Sequence, residues 1–100
     1  MKAEELRKML VENGYENTFV LDNPDLSNAV IGITEDSRLV YSYSRMIDCL
    51  FESGNFTLEE SVEFVNVETF GTIDCIEQNK PIVIYEFYGD AGIADQLKEE

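Results

Sequence analysis

Three carboxylates stand within five residues in the stretch "TLEESVEFV", Thr57 to Val65. Glu59 and Glu63 are helical neighbours if the segment is a helix, close enough to share a cation, with Glu60 beside them. A carboxylate pair can also carry acid/base chemistry when its surroundings push the two pKa values apart. The same stretch argues against both uses. Leu58, Val62 and Val65 recur at the spacing of a buried helical stripe, which turns the glutamates toward water, and solvated carboxylates mark reactive sites poorly. They are better suited to steering an oppositely charged partner. Phe64 falls off that stripe, toward Glu60. Glu59, Glu60, Glu63 and Phe64 are therefore the expected contact residues for a partner.

Other chemistries lose their residues one by one. The chain contains no histidine, which removes Ser-His and Cys-His nucleophile pairs and the commonest neutral metal ligand. "TEDSR" offers Glu35 and Asp36 but lacks the alternating oxygen ligands of a calcium loop and reads as a turn. Gly89-Asp90-Ala91-Gly92 follows a strand pattern without the Lys-Ser/Thr of a phosphate loop. Cys49 and Cys75 have no Cys-x-x-Cys spacing. Cys49 lies beside a helical apolar stripe, as a half-buried reduced thiol would, although a bridge to Cys75 stays open. No catalytic residues, no cofactor and no metal are expected, and the chain is not expected to be an enzyme.

Lys and Arg number 7 against 21 Asp and Glu, a formal charge of −14. Such a field disfavours direct contact with nucleic acid or an anionic membrane and favours a basic protein surface or a divalent cation. It also keeps a small protein soluble, so a monomer or weak homodimer is expected. With 44% of residues hydrophobic, the acidity does not make the chain a disordered one. The N-terminal stretch has charges throughout and no signal-peptide core, and no run approaches the about 18 apolar residues of a membrane span. A cytoplasmic protein is expected.

The elements that must position these residues follow from periodicity. Ala3, Leu6, Met9 and Leu10 predict a helix over 3–13, ended by Gly14 as a left-handed cap. Phe19 and Leu21 suit a short strand before the turn at Asn23-Pro24. Two β-rich runs, 29–34 and 38–43, joined by a polar turn, predict a hairpin. Leu39, Tyr41 and Tyr43 share one face of its second run, and Gly32 marks a bulge or a close approach. Ser44 is a suitable N-cap for a helix buried through Met46, Ile47, Leu50 and Phe51. Gly54-Asn55 ends that helix, and Thr57 with Glu60 forms a capping box for the next. The pattern between 67 and 80 specifies neither helix nor loop. "PIVIYEFY" is a strand whose nearly continuous apolar run suits neighbours or cover on both faces.

Tyr41, Tyr43, Tyr85, Phe87 and Tyr88 fall on the two expected strands. They suit a sheet face with hydroxyls at the rim, or alternatively a contact patch. The fold class expected is α+β: one small domain over 1–88, a mainly antiparallel sheet built on the hairpin and the later strand, and two to three helices packed on one face. Residues 89–100 are expected to be a frayed acidic tail.

The stretch "VIGITEDSRLVYSYSRMIDCLFESGNFTLEESVEFV", followed by "PIVIY", resembles a group of short acidic uncharacterised proteins of gut-type bacteria and their phages. The shared pattern is a Gly-bearing strand, an acidic turn, an "LVY-Y" strand, a "MI" helix, an "EEA-EF" helix and a "PIVIY" strand. Similar chains carry a Tyr-Asn-Thr-Ile-Arg-like step after the second of these helices. Val67-Glu68-Thr69-Phe70-Gly71 retains only the Thr. The resemblance implies no catalytic residues and almost nothing about function.

The composition and pattern together point to a non-catalytic acidic protein-interaction module meeting a protein with a basic surface. An alternative is a DNA mimic, whose carboxylates imitate phosphate spacing on a nucleic-acid-binding protein. A carboxylate-based enzyme or metal-binding protein ranks below both.

Overall fold

The computed structural model describes residues 1–86. Phe87, Tyr88 and the expected tail over 89–100 lie outside the described residues. The chain forms an α+β domain in the order α1 (Ala3–Glu12), β1 (Val30–Ile33), β2 (Leu39–Ser42), α2 (Tyr43–Glu52), α3 (Leu58–Phe64), a π-helical turn (Val65–Thr69), α4 (Phe70–Asp74) and β3 (Ile82–Ile84).

Helix α1 buries Ala3, Leu6 and Leu10 at the spacing expected, while Met9 stays 44% exposed at the edge of the stripe. Its N-terminal amides need acceptors that Lys2 cannot supply. The Lys2 amide donates to Glu5 Oε1 at 3.4 Å and the Ala3 amide to Asp25 Oδ2 at 2.9 Å. Gly14, at φ +88°, ends the helix in the left-handed region. The expected strand at Phe19 and Leu21 does not form. Val20 and Leu21 are buried as irregular chain, and only an isolated bridge links Asp22 with Asp25 around the turn. Short apolar runs carry no direction of their own, and here the cross-chain anchors decide.

The hairpin is present, with β1 antiparallel to β2. Its three-residue turn places Ser37 at φ 65°, with Thr34 N–H donating to the Arg38 carbonyl at 2.9 Å. The register slips between Val30 and Gly32, so Gly32 does mark a bulge, and a side chain there would meet open space. The sheet itself is mixed rather than mainly antiparallel, because β3 pairs parallel to β2 in the order β1-β2-β3. The helices between β2 and β3 form the crossover that a parallel pair requires. Among the described residues β3 pairs with β2 alone. Ile82 and Val83 are half-buried and Ile84 is exposed, less cover than its apolar run led one to expect.

Strand β2 runs directly into α2, and the N-cap is Ser42 rather than Ser44. Ser42 retains extended backbone and its hydroxyl accepts from the Arg45 amide at 3.4 Å, whereas Ser44 already lies in the first turn. Tyr43, expected on the strand, consequently starts the helix. Met46 and Leu50 are buried, Ile47 is half-buried and Phe51 is turned outward at 51% exposure.

Helix α3 buries a different face from the one its apolar spacing predicts. Leu58, expected in the core, is 55% exposed and Val62 is half-buried. Val65 is buried as expected, but in a row with Ser61, Thr69 and Ile73. Four-residue steps drift about 40° each around an α-helix. The wider π turn at Val65–Thr69 offsets that drift and keeps the row against the core. Ser61 tolerates full burial because its hydroxyl donates to the Thr57 carbonyl at 2.8 Å. The segment from 67, which the pattern left open, is thus helical as far as Asp74.

The core gathers Leu6 and Leu10 of α1, Leu26, Ala29, Leu39, Tyr41, Met46, Leu50, Val65 and Ile73. Fully buried aliphatic side chains such as Leu39 and Met46 each contribute about 1.5 to 3 kcal/mol of transfer free energy.

Candidate functional site

The four residues expected to meet a partner line two adjoining depressions on α3, the three glutamates exposed and Phe64 half-buried. One is lined by Leu58, Glu59, Val62, Glu63, Asn66 and Val67. The other is lined by Phe56, Glu60, Glu63, Phe64, Val67 and Glu68. Glu63 and Val67 belong to both. The capping box holds this end of the helix: Thr57 N–H donates to Glu60 Oε1 at 2.9 Å, and Glu60 N–H donates to Thr57 Oγ1 at 3.1 Å. Glu60 is thereby partly committed to the helix end, while Glu59 and Glu63 are exposed and make no side-chain bond among the described residues.

Phe64 has a different place from the glutamates. Its ring is half-buried against the core and meets Phe56 edge-on at 5.3 Å, so only part of it reaches the surface. The apolar contact on this face comes instead from Leu58, which the sequence pattern places in the core, and from Val67, 61% exposed, which it does not assign. The signal available for Val67 was its position one turn beyond Glu63, readable only once 65–69 is known to be helical.

The aromatic residues divide. Tyr41 is completely buried, contrary to a hydroxyl at the rim, and its hydroxyl is bonded inside the core. Tyr43 stacks with Phe70 at 6.1 Å and lies 4.6 Å from Tyr85, and its hydroxyl donates to Asn66 at 2.7 Å. That cluster borders the first depression through Asn66.

Cys49 is half-buried and Cys75 exposed, both free thiols. Burial, with Glu52 and other carboxylates adding to it, pushes the Cys49 thiol up from its ordinary value, which suppresses the reactive thiolate. Among the described residues no group of three His, Cys, Asp or Glu side chains is placed to hold a metal ion. No helix among them is long and apolar enough to cross a membrane. The arrangement on α3 supplies negative charge around apolar contact, which is chemistry for association.

Comparison with protein-family models, curated proteins and solved structures gives no match to this chain.

Proposed function

We propose that the protein is a non-catalytic acidic protein-interaction module, working in the cytoplasm, whose partner presents a basic surface to the outer face of α3. The observation that carries this reading is the pairing of exposed Leu58 and Val67 with Glu59 and Glu63 around one depression. Apolar contact with a charged frame gives a patch that can hold a partner as well as attract it. The net charge of −14 would speed encounter with a basic protein and repel nucleic acid.

The test is association kinetics with a partner captured from the native cell. Replacing Glu59, Glu60 and Glu63 by Gln should slow association and flatten its salt dependence, since long-range charge acts mainly on the on-rate. Leu58→Ser with Val67→Ser should speed dissociation. Wild-type rates in both variants would eliminate α3 as the binding face. A partner whose DNA or RNA is displaced by the protein would favour the DNA-mimic alternative.

A further inference from the structure

We propose that the groove between α1 and β1 receives an extended, basic segment of a protein partner, which carries an apolar residue at every second position and adds to β1 as a further strand. The inference rests on the reading that the chain acts by binding protein, and it names a surface separate from the α3 depressions.

The groove is a cavity of about 360 Å³ whose walls are almost wholly apolar: Leu6, Met9 and Leu10 from α1, Ile31 and Ile33 from β1, and Leu39 at its floor. Met9 at 44% and Ile31 at 37% exposure leave apolar surface open to solvent on both walls. Methionine adapts its shape readily, which suits a wall that must close on another side chain.

The strand wall also offers hydrogen bonds. Among the described residues β1 has β2 as its only ladder neighbour. The Thr34 N–H points at β2, where it bonds the Arg38 carbonyl. Successive residues of a strand alternate in direction, so the N–H and C=O of Ile33, paired with Leu39, face away from β2. An open edge of this kind beside an apolar groove is the requirement for strand addition, in which backbone bonds give affinity and alternate side chains enter the groove.

Charge selects the occupant. Glu5 and Glu12 of α1 and Glu35 and Asp36 of the hairpin turn are exposed, and Lys8 beside Met9 is exposed as well. The N-terminal ammonium and Lys2 stand at the opposite end of the groove, with the ammonium bonded to Asn28 Oδ1 at 2.6 Å. The groove lining itself holds no carboxylate, and the acidic field is that of the whole molecule, which carries −14. A second copy would set one strongly acidic molecule against another. A strand with apolar residues toward the groove and Lys or Arg between them satisfies the floor, the edge and the field together.

The probe is a labelled, end-blocked heptapeptide, Lys-Val-Lys-Val-Lys-Val-Lys, followed by fluorescence polarisation with the full chain at near-physiological salt. Its fully N-methylated counterpart has the same charge but cannot donate ladder bonds, and should bind at least about tenfold more weakly. Met9→Lys and Ile31→Lys, both at exposed positions, should each weaken the unmethylated peptide while leaving the thermal midpoint near wild type. Hydrogen exchange should show new protection at Ile33. Equal binding of the two peptides, no measurable binding of either, or protection confined to α3 overturns the groove assignment. The triple Gln variant of Glu59, Glu60 and Glu63 separates the two readings. Should the groove tests fail while that variant still slows association with a captured partner, the groove falls and the α3 reading stands.

Discussion

The hydroxyl of Tyr41 accepts a hydrogen bond from the backbone N–H of Leu21 at 2.9 Å, inside the core and 20 residues away along the chain. Tyr41 is fully buried at the centre of the sheet, and Leu21 lies in irregular chain with no ladder of its own. One side chain thus satisfies an amide that secondary structure leaves unpaired and fixes the segment between α1 and β1 onto β2.

Tyr41→Phe should lower stability by about 2 kcal/mol, because the Leu21 amide is left buried without an acceptor. Burial, the dominant influence, raises the Tyr41 hydroxyl from 10.0 to about 12. The neutral phenol is the form the fold favours, so this contribution is complete below the ordinary tyrosine value and is lost as pH rises through the folded one. Denaturation midpoints measured across alkaline pH should fall more steeply in wild type than in Tyr41→Phe. Parallel slopes would remove Tyr41 as the cause.

Asp25 joins the start of α1 to the turn before β1. Its carboxylate accepts from the Ala3 amide and the Ser27 amide, each at 2.9 Å, and from the Ser27 hydroxyl at 2.5 Å. Desolvation is the largest single influence and works to raise the carboxyl, but the bonds from Ser27 and Ala3 together outweigh it and hold the carboxyl below its ordinary value. The ionised form is favoured by the fold. Its stabilisation is present above the ordinary carboxylate range and lost as pH falls through the lowered value. Asp25→Asn should therefore be less stable than wild type at neutral pH, and the difference should shrink on acidification. A difference independent of pH in urea titrations would rule this ionisation out.

Thr57→Ala should destabilise the fold by about 1 kcal/mol, the usual effect of a lost cap. Both reciprocal bonds with Glu60 are formed, and they satisfy two amides at the start of the helix that have no partner within it. The measurement is the chemical denaturation midpoint, and a value equal to wild type would show the box contributes nothing.

Phe64→Ala should act on folding before it acts on binding. The ring packs on Phe56 and the core, so the substitution should cost about 2 kcal/mol, below the 3 to 5 typical of fully buried aromatics. Leu58→Ser, at an exposed position, should leave stability within about 0.5 kcal/mol. Calorimetry on the two variants separates them, and equal losses would contradict the outward placement of Leu58.

The sequence by itself determined the elements that local physics specifies. Helix α1 and its Gly14 end, the hairpin with Gly32 at its bulge, α2, and the Thr57 capping box all depend on contacts a few residues apart. The exposure of Glu59, Glu60 and Glu63 was legible for the same reason, since carboxylates seldom lose water without a partner. Tertiary structure decided the rest. A period of two does not say which way a strand runs, so the parallel pairing of β3 emerges only when the helices carry the chain back beside β2. Leu58, Val62 and Val65 make an acceptable stripe on a straight α-helix. The π turn keeps Val65 in the core but joins it to Ser61, Thr69 and Ile73 rather than to Leu58 and Val62, and Ser61 and Thr69 are polar residues whose burial no apolar pattern announces. Tyr41, Asp25 and the groove beside β1 have the same origin: each joins residues distant in the chain, whose proximity is a property of packing rather than of any local segment.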